Sequence, residues 1–196
     1  MNLSLAPEVV LTPRVRLEVS RPEFAEAFAD AMRASSDDLG FVAGWREAVD
    51  VGLARASLVR SIELAEQDVV RHAFERSTHR YVGRLDLHSW DDGAPRCELG
   101  YLADSRMTGH GLMREAAQAM LQIAWSLGAQ RVQAMCDSRN VRAIRFAERL
   151  GFQREGVLRD YDRDEEGELY DEVVLAIVPS DNAMDPDPAT VGRCDR

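Results

Sequence analysis

The chain has 196 residues, 45% of them hydrophobic, a size and content that suit one domain with a substantial core. Its formal charge is -10, but residues 1–159 hold 22 acids against 21 arginines, while residues 160–196 hold 12 against 3. All 24 basic residues are arginine and none forms a tract, which excludes nucleic-acid binding; no window approaches the roughly 20 apolar residues that span a bilayer, and no leader pattern is visible, so no membrane partner and a cytoplasmic location are expected.

Taken in order, residues 9–19 alternate loosely and predict a first strand, with Pro13 at a bulge or edge position. Pro22, after Ser20, opens a helix whose Phe24, Ala27, Phe28, Ala31 and Met32 share one stripe. Residues 35–45 read as a connector, with Phe41 and Trp45 lining a pocket or closing the core, and a second helix runs over about residues 49–67. Residues 69–75 and 81–88 predict an antiparallel hairpin, and Asp91, Asp92 and Gly93 turn the chain onward.

A helix from Gly111 carries Leu112, Ala116, Ala117, Met120, Ile123, Ala124 and Leu127 on one side and stops at Gly128. Residues 131–136 are then a strand, 140–150 a helix ended by Gly151, and 152–158 and 172–178 the last strands. From Pro179 the composition is rich in Asp and Pro, which predicts a domain over 1–178 and a disordered tail over 179–196. Cys97, Cys136 and Cys194 are odd in number and lack metal-ligand spacing, as do His72, His79 and His88, so free thiols in a reducing compartment and no metal are expected.

The stretch from Glu98 to Met113 organises the rest. A short run with β character, Leu99 to Ala103, ends in a polar loop, and Gly109 and Gly111 open the long helix. Glycines let a backbone approach a ligand closely, and the first turn of a helix offers unbonded N–H groups at the positive end of its dipole, so an anion suits this place. A tight turn would use the same glycines. The absence of a Gly-Lys-Ser/Thr ending and of a third glycine excludes the ATPase phosphate loop and the dinucleotide fingerprint.

Glu98-Leu-Gly-Tyr, then Gly109-His-Gly111-Leu with Glu115-Ala116, then Asn140 with Gly151-Phe152 eleven residues on, carry a resemblance. The chain is similar to the GNAT superfamily of acetyl-CoA-dependent N-acetyltransferases, and within it to the RimJ/RimL branch of protein N-terminal acetyltransferases, most densely over residues 70–160. The resemblance implies an α/β fold, a single domain with a mixed, mostly antiparallel sheet flanked by helices. It also implies acetyl-CoA as cosubstrate, no metal, and an amine acceptor, first a protein N-terminus, with room for a homodimer. Acetylation of a small amine such as an antibiotic or polyamine, and a non-catalytic CoA-binding protein, are the alternatives.

The family's pyrophosphate motif, Arg/Gln-x-x-Gly-x-Gly/Ala, can start at Arg106 or at Thr108; the spacing from Glu98 favours Thr108 and leaves Arg106 as a charge partner. Either way the resemblance implies that the backbone N–H groups of Gly109, His110, Gly111, Leu112 and Met113 face the pyrophosphate. It also implies that Ala103 bonds the pantetheine amides where the strand splays, and that Asn140 bonds the pantetheine arm, unless it merely caps its helix. Glu98 matches the carboxylate that acts as base, usually through water, although a strand-end glutamate is also an ordinary surface feature. The tyrosine that many members place seven residues after the asparagine is Ala147 here, so protonation of the leaving thiolate falls to Ser138, to water or to no specific group.

Cys136, among apolar neighbours, reads as a small hydrophobe and not an acyl carrier. Arg142, Arg145 and Arg149 look like a phosphate clamp, but a wheel with Asn140, Ala143 and Ala147 on the cofactor side turns them outward. The run 160–172, eight acids against Arg163, reads as a solvated hairpin or as a field that draws cationic acceptors.

Overall fold

Eight strands of the described residues share one sheet in the order β1 (Val9–Leu11), β2 (Val15–Glu18), β3 (Val69–Glu75), β4 (Tyr81–Asp91), β5 (Arg96–Ala103), β6 (Arg131–Asp137), β8 (Leu169–Ile177) and β7 (Gln153–Arg163). The computed structural model describes residues 2–36, 49–164 and 166–181; Phe41, Trp45, Cys194 and the tail beyond Asp181 lie outside them. Neighbouring strands are antiparallel except β5 and β6, which the intervening helix α3 (Leu112–Ser126) joins as a parallel crossover. This is the expected α/β domain with a mixed, mostly antiparallel sheet.

Alternation along β5 sends Leu99 and Leu102 to opposite faces, and each face has its own core. On one, α1 (Ala25–Ala34) and α2 (Val51–Glu63) bury Phe28, Met32 and Leu58 against Phe74, Tyr81 and Leu102. On the other, α3 and α4 (Val141–Leu150) bury Met120, Leu121 and Ile144 against Leu85, Leu99 and Val132. His72 belongs to the first core, fully buried, with Ser20 Oγ 3.1 Å from one ring nitrogen and the Tyr81 hydroxyl 2.8 Å from the other. Burial and the nearby Arg84 and Arg71 guanidinium groups push its pKa down to about 3, so it stays neutral.

Three predicted strands need correction. Residues 9–19 form a hairpin, β1 and β2, and not one strand. Pro13 lacks an N–H for the ladder, and Thr12 closes the turn around it by accepting from Val15 N–H on Oγ1 and donating its own N–H to Val15 O, each at 2.9 Å. The final hairpin is longer than 152–158 and 172–178: β7 runs on to Arg163 and β8 begins at Leu169. No residue of β7 is buried, so its outer half carries no apolar alternation; backbone pairing, with bulges at Arg154/Gly156 and Leu158/Asp162, holds it.

Candidate active site

Parallel pairing of β5 with β6 covers three positions, from Arg96 opposite Arg131 to Glu98 opposite Gln133. Past Glu98 the strands part, β5 staying with β4 through Ala103 and β6 with β8 through Asp137. Tyr101 fills part of the wedge: its ring packs on Phe146 of α4, centroids 4.6 Å apart, and its hydroxyl donates to Ala143 O at 3.2 Å. The wedge opens into a cleft of about 860 Å³ floored by the parted strands and walled by the loop after β5 and the starts of α3 and α4.

Of the residues singled out from the sequence, Glu98, Ala103, Gly109, Gly111, Met113 and Asn140 line this cleft. His110, Leu112 and Ser138 do not: Leu112 is in the core, the His110 carbonyl accepts from Arg14 Nη1 at 3.0 Å, and the Ser138 N–H donates to Asp171 O at 2.8 Å. Asn140 is the cap of α4, its side-chain oxygen accepting from Ala143 N–H at 3.0 Å. The Ala103 carbonyl accepts from the hydroxyl of Ser35, a buried cleft residue at the end of α1 that sequence reading did not single out.

Gly109 and Gly111 have φ of 83° and 76°, the left-handed region that glycine enters without a Cβ penalty. Gly111 caps α3, and among the described residues no side chain bonds the first turn, so the anion-binding end of a 15-residue helix is presented at the cleft. Arg106 is not part of it: Asp104 and Asp30 hold its guanidinium, at 2.7 and 2.8 Å, which leaves Thr108 with the glycines along the wall. Glu115 ties the loop to the first hairpin. It accepts from the Thr12 hydroxyl and from Arg14 N–H and Nε; burial raises its pKa, but these donors outweigh burial and hold the carboxyl below the usual range.

A model of the acetyltransferase (GNAT) domain matches residues 14–153. The chain belongs to the GNAT acetyltransferase family. The enzyme's reaction is therefore acyl transfer from acetyl-CoA to an amine. Among curated relatives, an uncharacterized N-acetyltransferase, p20, of Bacillus licheniformis is 27% identical over 137 residues, 68% of this chain and 76% of that protein. Among solved structures, RimL, a ribosomal L7/L12 alpha-N-protein acetyltransferase in complex with coenzyme A, has a TM-score of 0.79 at 17% identity, covering 87% of this chain and 98% of its own. Mycobacterium smegmatis RimJ, in complex with CoA-disulfide, has a TM-score of 0.79 at 20% identity, covering 90% and 89%. At these identities the two structures establish the fold.

On the face away from α3 and α4, this acetyltransferase carries a chain of charged groups that ends at the cleft. Arg84 pairs with Asp86; Asp86 Oδ2 lies 2.7 Å from His88 Nδ1; His88 Nε2 lies 3.6 Å from Glu98 Oε1; and Gln133 Nε2 donates to Glu98 Oε2 at 3.3 Å. The hydrogen bonds to Asp86 and Glu98 push the His88 pKa up to about 10, so the imidazole is a cation at neutral pH. His88 is thus partnered by carboxylates that sequence reading did not connect to it. Its signal was Asp86-x-His88, two residues that share one face of a strand.

The expected orientation of α4 is overturned. Ile144, Ala147 and Leu150 are its core stripe, and Arg142, Arg145 and Arg149 line the cleft along with Ala143 and Phe146. Asn140 precedes the helix as its cap and does not mark a face; the face of α4 is set by the apolar stripe that packs on the sheet. Ala147 therefore faces the core. Burial pushes both the Cys97 and Cys136 thiols up to about 12, so Cys136, although it lines the cleft, is no ready thiolate.

Proposed function

We propose that the enzyme binds acetyl-CoA between the parted ends of β5 and β6 and acetylates a primary amine, in the first place a protein N-terminus. The observation that carries this reading is the coincidence of the strand splay with the glycine-capped start of α3, where Gly109 and Gly111 take left-handed φ. The residues present fit such a cosubstrate: the apolar wall near Tyr101 and Phe146 suits a pantetheine arm, while the α3 N-terminus, Arg145 and Arg149 suit phosphates. The branch of the family that the sequence resembles, and RimL's own action on a ribosomal protein, support a protein N-terminus as acceptor.

Acetyl-CoA, when bound, supplies an acyl group activated as a thioester. The chain must then take a proton from the incoming ammonium so that its lone pair can attack, and must leave the departing thiolate a source of a proton. Glu98 is the proposed base, acting through water, with Gln133 and His88 fixing its carboxylate. Ser138 lies off the cleft, which supports water as the acid for the thiolate.

Thiol release from acetyl-CoA, measured against a panel of peptide N-termini and small amines, tests the reading. Turnover with peptides is expected. Turnover with small amines alone would move the acceptor to the second class, and binding of acetyl-CoA without thiol release from any amine would leave a CoA-binding protein.

A further inference from the structure

Glu172, on β8, is 9% exposed and lines the cleft, yet no hydrogen-bond donor and no ion-pair partner among the described residues reaches its carboxylate. In register it stands opposite Asp137 of β6 on one side and Leu158 of β7 on the other. Directly opposed residues share a face, so Glu172 and Asp137 lie on the same side of the sheet as Gln133 and the Glu98 it bonds.

The other acids there are already engaged. Asp137 accepts from the backbone and guanidinium of Arg139, which also holds Asp164 at 2.9 Å and lies over the Tyr170 ring. Glu98 has Gln133 and the His88 cation. Glu172 has neither. A carboxylate that meets water only through the cleft, beside like charges and without a counter-ion among the described residues, is costly, and a cation entering the cleft is what relieves that cost.

We propose that Glu172 is the docking group for the acceptor's protonated amine, so that the enzyme selects acceptors that arrive as primary ammonium ions. The proposal rests on the amine-acetyltransferase reading above and narrows its substrate class to cations. Within the acidic run 160–172 it replaces a diffuse field with one position, since Asp164 is held by Arg139 and Asp162 accepts from the backbone N–H of Arg163. Glu98 remains the proton acceptor; Glu172 binds.

Docking of this kind needs Glu172 ionised. Burial first, then the charges of Asp137, Glu98 and Asp162, push its pKa up to about 7. The groups around it are Asp137 on β6, with the Cys136 thiol on that strand's opposite face, Glu98 on β5 with His88 behind it, Asp162 on β7, Tyr170 on its own strand, and Arg139 through Asp137. Acceptor kcat/KM is therefore expected to rise as pH increases through about 7.

The experiment compares the wild type, Glu172→Gln and Glu172→Asp by thiol release. The best primary amine of the panel is set against an alkoxyamine, a nucleophile uncharged at neutral pH, with acetyl-CoA affinity followed by calorimetry. Glu172→Gln is expected to raise the amine KM about tenfold or more and to lose the rise near pH 7, with the change carried by KM and not kcat. Glu172→Asp should restore most of the affinity. The alkoxyamine KM and the acetyl-CoA affinity should be the same in all three. An amine KM within about twofold of wild type, or an alkoxyamine KM that rises equally, overturns the proposal. Should the substitutions prevent folding, the wild type alone decides: a pH 7 rise of equal size for amine and alkoxyamine also overturns it. Absence of thiol release with every amine instead defeats the reading on which it rests, and the proposal with it.

Discussion

His88 and Glu98 are register partners across β4 and β5, and the imidazole of the first bridges the carboxylate of the second, at 3.6 Å, to Asp86, at 2.7 Å. A cation is thus fixed behind the proposed base, and its proton stabilises the fold. An imidazole with pKa near 6.5 in the unfolded chain and about 10 in the folded one contributes fully below about pH 6.5, progressively less above it, and nothing above about 10. The Tm advantage of the wild type over His88→Gln is therefore expected to be largest near pH 6 and to shrink steadily up to pH 10. Thermal melts across that range check it; an advantage that grows with pH would contradict a raised His88 pKa.

Glu98→Gln keeps size and hydrogen bonding but removes the proton acceptor. Turnover at neutral pH should fall by roughly two orders of magnitude while acetyl-CoA affinity stays nearly intact. A fall of less than about threefold, with chemistry shown to limit the rate, would take the role of base away from Glu98.

Gly111→Val places a branched side chain at φ of 76°, with the new Cβ 3.4 Å from Arg14 Nη2, on the wall proposed to meet the pyrophosphate. Acetyl-CoA affinity should drop at least about tenfold, or about 1.4 kcal/mol. Calorimetry giving unchanged affinity in a folded variant would remove this loop from the site.

Arg145 and Arg149 follow from the corrected orientation of α4. Replacing both with alanine should weaken acetyl-CoA binding several-fold at low salt, with the difference from wild type shrinking as ionic strength rises, because exposed charges are screened. Affinities that match at every salt concentration would return these arginines to the solvated surface.

The readable part of this protein was local. The 3-10 turn that Pro22 opens ahead of α1, the helix start at Gly111, the stops at Gly128 and Gly151, and apolar stripes such as Met120, Ile123 and Ala124 depend on residues within a few positions of one another, and chain order exposes them directly. The family motif likewise placed Glu98, Gly109, Gly111 and Asn140, all of which line the cleft. Tertiary structure decided the rest. That Glu115 grips Arg14, that His88 reaches Glu98, and that Glu172 finds no partner among the described residues beside Asp137 are consequences of strand register and helix packing between residues far apart in sequence. The face of α4 shows the difference most plainly. Both stripes have helical spacing, and burial of Ile144, Ala147 and Leu150 against the sheet turned Arg145 and Arg149 toward the cleft. A periodicity fixes which residues lie together; only the partner surface fixes which way they face.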